Sequence, residues 1–480
     1  MQDLLELSAL DLSQAIHARQ VSCEEVMKAA LQRIEEQNPT FNAIVQLAPA
    51  QQLLQQAISH DTLLAQGRSK GWLHGIPVAI KDLAHAEGFF TTSGSRVQRQ
   101  FLPTQDSVHV ARMKAAGAVV IGKTNTPEFG LGSNTYNAVF GSTGNAWDPS
   151  RTSGGSSGGA AVALARRMLW VADGSDFMGS LRNPAAWNHV FGLRPSQGRV
   201  PGWPKLDVWI SQLGTDGPMA RHVRDLARLL DVQAGYDPRV PLSLESDPDS
   251  FVPAPGQSVK GLRVGWLGDL QGYLATEDGI LEVCESALLT LQRAGAQVET
   301  ARLGMEPTLL WEAWLVWRQA LVASNISAVL AQPGARELTK PEALWEADRA
   351  QTLKFESFMQ ASAIRTQYLQ RMLELFQQFD VLALPSAQVW PFPRELDWPK
   401  SIGTRSMDTY HRWMEVTLYA TFAGLPALSV PAGFDGSQRW PMGLQLIGKP
   451  RAERELLCAG AAYEALIPEL MARRPPPLQF

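Results

Sequence analysis

The sequence predicts an α/β protein, because strand and helix patterns alternate along two separate stretches of the chain. An apolar run at 76–80 precedes a helix pattern at 107–116 and a buried-strand pattern at 118–121. The same strand, helix and strand order returns between 262 and 299. Successive strands joined by a helix favour parallel pairing, since parallel neighbours need a long crossover connection.

Helices are predicted for the N-terminal part, residues 1–72. Ser22 and Glu25 have the spacing of a capping box, which marks the start of a helix. Apolar residues from Val26 to Ile34 follow at helical spacing. This part is expected to serve as scaffold.

The later segments are assigned by composition and periodicity. Five prolines within 235–258 predict a long surface connection. Residues 305–380 have a helical pattern, and 380–385 predict another buried strand. The last residues, 471–480, are proline-rich and predict a solvated extended tail.

Composition excludes several classes of protein. The 480 residues carry 43 Lys and Arg against 47 Asp and Glu, a net charge of −4, without a basic block. Nucleic acid and anionic membranes are therefore not expected as partners. The start of the chain lacks signal-peptide features, and no run approaches about 20 apolar residues.

The three cysteines indicate a reducing environment. Cys23, Cys284 and Cys458 are far apart and odd in number, which argues against a disulfide framework or a CxxC site. Cys284 falls on the apolar face of a predicted helix and is expected to be a core residue. A cytoplasmic location fits these features best.

A lysine ends the first apolar strand, in the segment G-I-P-V-A-I-K at 75–81. Burial of an ammonium group is costly and lowers its pKa. Lys81 is therefore either a residue whose charged end reaches solvent or a neutral base. His85 is expected to be a surface or wall residue.

A Gly/Ser loop at 152–159, T-S-G-G-S-S-G-G, leads into an Ala-rich helix. Such a loop brings backbone N–H groups and hydroxyls close to a bound anion or oxyanion. A phosphate site of the Walker type is not supported, because the Gly-Lys-Ser/Thr ending is absent.

A third segment places a serine at the end of an apolar strand. The strand pattern at 170–176 runs into a polar turn that contains Ser180, and Pro184 is placed to open a short helix. A hydroxyl exposed beside free N–H groups suits a nucleophile, although a simple turn serine is the alternative.

Together the three segments resemble the amidase signature family of serine hydrolases, and their spacing matches that family without gaps. Further matches lie at 122–129, 147–151, 216–221, 423–433 and 443–448. The resemblance covers most of the chain, whereas 235–420 matches only at isolated points.

The resemblance implies a fold and an arrangement of the chain. It implies one domain over 1–480, with a mixed central sheet sandwiched between helices. The signature core would span 73–225, a variable helix-rich substrate-side region 226–380, and the return to the core sheet 381–470.

The resemblance also implies roles for individual residues. Ser180 would be the acyl-accepting nucleophile, Ser156 the bridging hydroxyl after a cis Gly155–Ser156 bond, and Lys81 the base. Further implied sets are the oxyanion hole (the N–H groups of Phe177, Met178, Gly179 and Ser180), the supporting residues (Ser157, Asp176 and Arg182) and one substrate wall (Gly130, Leu131, Gly132 and Ser133). Residues 305–420 would supply the other wall.

Elementary chemistry agrees with these roles. A serine hydroxyl needs a base to remove its proton, and a lysine can act as that base only when neutral. Burial must lower the pKa of Lys81 by about three units to achieve this at neutral pH. No metal or cofactor is needed, and none is expected.

Met178 departs from the family pattern, which has two glycines before the nucleophile. If this position has positive φ, methionine is strained by about 1 kcal/mol or more. Its side chain would also narrow the acyl pocket.

The predicted function is hydrolysis of a small, partly apolar amide by a monomer or homodimer, with carbamates or esters as further substrates. One alternative is the glutamine-hydrolysing subunit of a tRNA-dependent amidotransferase. Another is a binding protein on a hydrolase scaffold, disabled by Met178. Six tryptophans of the middle region either line an apolar pocket over Ser180 or fill the core: Trp203, Trp209, Trp311, Trp314, Trp317 and Trp413.

Overall fold

Both predicted strand–helix–strand units form with parallel strands in the computed structural model, which describes residues 4–478. The strands are β1 (Ile44–Val45), β2 (Pro77–Lys81), β3 (Val119–Thr124), β4 (Tyr136–Asn137), β5 (Gly141–Ser142), β6 (Val171–Asp176), β7 (Phe191–Arg194), β8 (Thr215–Ala220), β9 (Arg263–Trp266), β10 (Gln297–Thr300), β11 (Val381–Pro385), β12 (Ser401–Ile402), β13 (Arg405–Ser406), β14 (Ala427–Phe434) and β15 (Pro441–Gly448).

Helices connect and cover these strands. The α-helices are α1 (Ala9–His17), α2 (Cys23–Phe41), α3 (Ala50–Ala65), α4 (Val108–Ala115), α5 (Gly158–Ala165), α6 (Arg182–Asn188), α7 (Val223–Gln233), α8 (Ile280–Arg293), α9 (Pro307–Leu330), α10 (Ala335–Leu338), α11 (Pro341–Ala350), α12 (Phe355–Gln378), α13 (Leu418–Phe422), α14 (Glu453–Leu466) and α15 (Pro468–Ala472). Short 3₁₀ helices span Leu4–Glu6, Glu128–Gly130 and Arg412–Thr417.

The centre of the molecule is a mixed sheet of eight strands, in the order β10-β9-β11-β15-β14-β7-β8-β6. Strands β10, β9 and β11 are parallel, and the remaining neighbours are antiparallel. Helices α6, α8 and α14 pack on β14 and β15. The predicted fold class, a mixed central sheet flanked by helices, is confirmed.

The strand that carries Lys81 does not belong to this central sheet. The resemblance implies that the signature core at 73–225 and the return segment at 381–470 share one sheet. This holds for β6 to β8 and fails for β2 and β3, which form a second sheet with β1. The outer edge of β2 faces β6, where the Lys81 N–H donates to the Asp173 carboxylate (3.0 Å). The Asp173 side chain thus accepts a hydrogen bond that a backbone carbonyl of a neighbouring strand would otherwise accept.

The middle region contributes to the central sheet as well as to the helical layer. Strands β9 and β10 form one edge of the sheet, and α9 to α12 occupy most of the predicted helical stretch at 305–380. Residues 235–258 contain no helix or strand, as predicted. The count of one domain stays a prediction.

The N-terminal part is helical, as predicted, except for β1, and the capping box at Ser22 is present. The Ser22 side chain accepts a hydrogen bond from the Glu25 N–H, and the Glu25 carboxylate accepts one from the Ser22 N–H. Cys284 is buried in α8, and Cys23, Cys284 and Cys458 are all unpaired. Residues 1–3, the first residues of this predicted part, lie outside the described residues.

The tail is not fully solvated, contrary to the prediction. Residues 471–472 of the predicted tail belong to α15, and residues 473–478 form no helix or strand. Arg166 donates a hydrogen bond to the carbonyl of Pro476 (2.7 Å). The Arg473 guanidinium lies 3.4 Å from the centre of the Phe434 ring. These cationic contacts hold the tail against the protein, and residues 479–480 lie outside the described residues.

Between residues 4 and 478, no helix combines the length and the apolar character that crossing a membrane requires.

The start of α1 depends on a distant carboxylate. Asp225, buried on α7, accepts the N–H groups of Ala9 (2.8 Å) and Leu10 (3.0 Å). We expect Asp225→Ala to lower the free energy of unfolding by about 2 kcal/mol, because two buried donors lose their acceptor. Urea unfolding followed by circular dichroism measures this loss.

The matched control is Glu285→Ala, which removes an exposed carboxylate from the middle of α8. It should change the free energy of unfolding by less than about 0.5 kcal/mol. Equal losses in the two variants would contradict the role of Asp225.

Candidate active site

Lys81 ends β2 inside the protein, with only 1% of its surface exposed. Its Nζ lies 2.7 Å from Ser156 Oγ, 2.9 Å from Ser157 Oγ and 3.0 Å from Ser175 Oγ. Three hydroxyls therefore surround the amine. Lys81 does not extend its charged end to solvent.

Burial lowers the pKa of Lys81 to about 7, against the opposing effect of the carboxylates of Asp173, Asp216 and Asp176. Near neutral pH a large fraction of this amine is therefore unprotonated. An unprotonated amine 2.7 Å from a hydroxyl can take the proton of that hydroxyl.

The Gly/Ser loop supplies two of the hydroxyls. The Gly155–Ser156 peptide bond is cis, as the resemblance predicts. Ser157 precedes α5, and its N–H donates to the carbonyl of Ser180 (3.3 Å). Gly159 leaves no room for a side chain, because a Cβ would lie 2.4 Å from the backbone nitrogen of Asn125. The loop thus lies directly against the turn that carries Ser180.

That turn joins β6 to α6 and is organised by Asp176. The Asp176 carboxylate accepts the N–H groups of Gly179 (2.8 Å) and Leu181 (3.1 Å). Gly179 has φ +88°, a conformation that favours glycine. The turn therefore holds Ser180 between two backbone hydrogen bonds to one carboxylate.

Two arginines balance the charge of Asp176. Arg182 binds both carboxylate oxygens (3.0 Å each), and Arg194 donates to the Asp176 carbonyl. Burial alone would raise the pKa of Asp176, but the two guanidinium groups outweigh it and lower the pKa. Arg182 also reaches Gln445 on β15 (2.6 Å), which fastens the turn to the central sheet.

The structure corrects one of the four predicted oxyanion donors. The Gly179 N–H is already bonded to Asp176, so it does not point toward a reacting carbonyl. Among residues 4–478, none accepts a hydrogen bond from the N–H groups of Phe177, Met178 or Ser180. Met178 does not have positive φ, so the predicted strain is absent.

Ser180 Oγ has no hydrogen-bond partner within the described part of the chain. The structure brings Lys81 and Ser156 together by their side chains, and it brings Ser180 to the loop only through its backbone. All three residues line the same cavity. Catalytic hydrogen bonds in unliganded enzymes are often long and shorten only with substrate.

The cavity has a volume of about 410 Å³. Gly130, Leu131 and Gly132 form one wall, as predicted, and Val322 and Ile326 of α9 lie in the other. The cavity walls thus come from the two regions that the resemblance implies.

Ser133 is a correction to the predicted wall. It is fully buried, and it lines a separate crevice beside Asn134 and Tyr410. The chain turns at Gly132, where φ is +84°, and this turn directs Ser133 away from the cavity.

Most of the six tryptophans in question fill the core. Trp311, Trp314, Trp317 and Trp413 are buried and lie outside the cavity wall. Trp209 is 60% exposed. Of the six, only Trp203 lines the cavity, so the tryptophan-rich middle region is mainly a packing feature.

Sequence reasoning missed four residues of the site. Ser175 contacts Lys81 Nζ, Asp173 and His109 form a buried contact behind it, and Arg318 lines the cavity from α9. Asp173 and Ser175 are two residues apart on β6, so their side chains share a face. The alternation of side chains along a strand could therefore have identified Asp173 and Ser175 from the sequence. No local sequence pattern indicates His109 or Arg318.

Arg318 is buried beside a carboxylate and a hydroxyl that accept its hydrogen bonds. Its Nε donates to Glu346 (2.5 Å), and its Nη2 donates to the hydroxyl of Tyr410. Its guanidinium also lies 5.4 Å from the centre of the Phe177 ring. The wall therefore contains a cation whose charge is largely balanced.

The chain is similar to known proteins over nearly its whole length. The sequence profile described as Amidase matches residues 25–457. The chain is 34% identical to the A subunit of the glutamyl-tRNA(Gln) amidotransferase of Chloroflexus aurantiacus, over 97% of this chain and 98% of that protein.

Solved structures of similar fold include two different kinds of enzyme. A bacterial aryl acylamidase of the amidase signature family superposes with a TM-score of 0.91 at 28% identity, covering 98% of this chain and 99% of that one. The A subunit of the Thermotoga maritima glutamyl-tRNA(Gln) amidotransferase superposes with a TM-score of 0.76 at 27% identity, covering 97% and 95%.

These similarities extend over nearly the whole chain and include the segments that carry Lys81, Ser156 and Ser180. The protein belongs to the amidase family and is a hydrolase that acts on carbon–nitrogen bonds.

Proposed function

We propose that the protein cleaves an amide bond through an acyl-enzyme on Ser180, with Ser156 as proton relay and Lys81 as base. The observation that carries the proposal is the fully buried Lys81 amine, 2.7 Å from Ser156 Oγ in the cavity that Ser180 also lines. A histidine and aspartate pair is not required for this chemistry, because a neutral lysine can accept the proton.

Acylation begins with two proton transfers. Neutral Lys81 takes the Ser156 proton as Ser156 takes the proton of Ser180, and Ser180 Oγ attacks the amide carbonyl carbon. The developing oxyanion accepts hydrogen bonds from backbone N–H groups of the turn, and those of Phe177 and Met178 are the candidates. One such donor stabilises the transition state by about 3 kcal/mol.

The intermediate then collapses with loss of the amine. The C–N bond breaks, and the leaving nitrogen receives its proton from Ser156, which is reprotonated by the Lys81 ammonium. Water then enters the cavity and attacks the acyl carbon, while its proton passes through Ser156 to neutral Lys81. The bond from the acyl carbon to Ser180 Oγ breaks, and Ser180 regains a proton from Ser156, which is reprotonated by Lys81. Hydrolysis of the acyl-enzyme releases the carboxylic acid and restores Ser180.

The cavity walls favour a small, partly apolar acyl group. Phe129, Leu131, Val322, Ile326 and Met414 all contribute to the wall. Apolar side chains in a cavity wall bind the apolar part of a ligand, and the polar groups beside them fix its orientation. Carbamates and esters would fit the same chemistry, because the relay only has to protonate the leaving group.

The sequence comparison favours the glutamine-hydrolysing alternative over a small apolar amide. The similarity to the A subunits of glutamyl-tRNA(Gln) amidotransferases covers almost the whole of both chains. A protein of that kind would have a partner chain and a tRNA among its partners, which differs from the predicted monomer or homodimer. Glutamine is therefore the first substrate to test.

Replacement of the nucleophile tests the chemistry directly. Ser180→Ala should reduce kcat/KM at least 10³-fold on any amide that the wild type accepts, because no other group can form the acyl-enzyme. It should also abolish covalent labelling by a fluorophosphonate, followed by intact mass.

Ser59→Ala is the matched control, since Ser59 Oγ lies on α3 and bonds only the carbonyl of Gln55. Near-wild-type turnover by Ser180→Ala would refute the proposal.

The proposed base predicts the pH dependence. Lys81 acts only when neutral and its pKa is lowered to about 7, so kcat/KM should fall tenfold per pH unit below that value and level off above it. A pH profile of kcat/KM from pH 5 to 9 measures this limb. Lys81→Ala should lose the most activity above pH 7, where the wild-type amine is neutral, and its residual rate should lack the limb.

A substrate panel separates the two proposed functions. The apolar side chains in the wall predict that the isolated chain hydrolyses a small aryl amide at least tenfold faster than glutamine, measured as kcat/KM. The alternative predicts the reverse order, with glutamine hydrolysis that rises when a partner is present. Co-purification from the native host with a second, RNA-binding chain would support the alternative.

A further inference from the structure

A buried histidine lies between two carboxylates beside Lys81. His109 on α4 has Nε2 3.3 Å from Asp173 Oδ2 and Nδ1 3.6 Å from Asp216 Oδ2. Asp173 is on β6, and its other oxygen accepts the backbone N–H of Lys81 (3.0 Å). The cluster therefore joins α4, β6 and β8 to the strand of the proposed base.

The contacts of His109 favour the imidazolium form. Each ring nitrogen faces one carboxylate oxygen, and a doubly protonated ring can offer an N–H to both. Burial lowers the pKa of His109, but the attraction of Asp216 and Asp173 outweighs it and raises the pKa. The two carboxylates therefore stabilise the protonated form of His109 inside the protein.

The other charged groups near the cluster have partners of their own. Lys123 on β3 opposes the protonation of His109, and its Nζ lies 3.7 Å from Asp82. The charge of Asp176 is matched by Arg182 and Arg194.

Asp173 and Asp216 remain as the two carboxylates that act on Lys81 without an arginine partner. His109 is the cation within ion-pair distance of both.

We propose that His109 is a positioning residue, whose charge between Asp173 and Asp216 sets the pH at which Lys81 becomes a neutral base. This inference rests on the proposed role of Lys81. Carboxylates stabilise the Lys81 ammonium, and the imidazolium cancels part of their field. Lys81 therefore loses its proton at a lower pH than it would beside two unbalanced carboxylates.

The proposal predicts shifts of opposite sign. Loss of the His109 charge leaves both carboxylates unbalanced, so the active form of Lys81 should appear at higher pH. Loss of the Asp216 charge removes one carboxylate, so the active form should appear at lower pH. A merely structural role would lower the rate in both variants without moving the midpoint in opposite directions.

The test measures the rate of Ser180 labelling by a fluorophosphonate as a function of pH, which needs no knowledge of the substrate. His109→Gln should move the midpoint of the profile up by about one pH unit, which corresponds to about a fivefold slower labelling at pH 7. Asp216→Asn, whose side chain is 22% exposed, should move the midpoint down by half a unit or more.

His85→Gln is the matched control. His85 is close to Lys81 in sequence but contacts Ser107 and the Phe101 ring instead of the cluster. Its profile should coincide with that of the wild type. Circular dichroism confirms that each variant is folded, and if His109→Gln does not fold, Asp216→Asn decides by itself.

Each outcome has a definite meaning. An unmoved midpoint in Asp216→Asn, or in a folded His109→Gln, overturns this inference, as do shifts of the same sign. Labelling of Ser180→Ala, or a wild-type profile without a limb between pH 5 and 9, instead overturns the proposed function. A wild-type limb with unmoved variants leaves the proposed function intact and rejects the role of His109 alone.

Discussion

The contact between the buried Lys81 amine and Ser156 Oγ is the constraint on which the site depends. An amine enclosed in protein is costly unless it is neutral or fully hydrogen-bonded. Here the hydroxyls of Ser156, Ser157 and Ser175 surround it, and they come from a loop and a strand that are distant from β2 in sequence. The packing of β2, β6 and the Gly/Ser loop therefore has to place all of these groups together.

A second set of interactions secures the turn that carries Ser180. Asp176 holds the backbone of the turn, Arg182 and Arg194 neutralise Asp176, and Arg182 extends to Gln445 in the central sheet. The same carboxylate occupies the N–H of Gly179, which narrows the choice of oxyanion donors. The buried Asp176 carboxylate therefore fixes the turn and also limits which backbone N–H groups remain free to bind an oxyanion.

The lining of the cavity and the similarity to known proteins are two separate indications of substrate specificity. The wall of the cavity combines apolar and polar groups, and the buried Arg318 in it is already paired with Glu346. Similarity across the whole chain instead groups the protein with amidotransferase subunits. Both observations are compatible with the chemistry proposed at Ser180, because much of the cavity wall and the three proposed catalytic residues come from different segments.

The sequence by itself determined the α/β class, the two parallel units, and the segments that carry Lys81, Ser156 and Ser180, because periodicity and motif spacing are local properties. Only the tertiary structure decided that β2 lies outside the central sheet, that Ser133 faces away from the cavity, and that most of the tryptophans fill the core. It also revealed the contact between His109 and Asp173, which are 64 residues apart. Such contacts arise when elements distant along the chain pack together, and no local pattern specifies which side chains then meet.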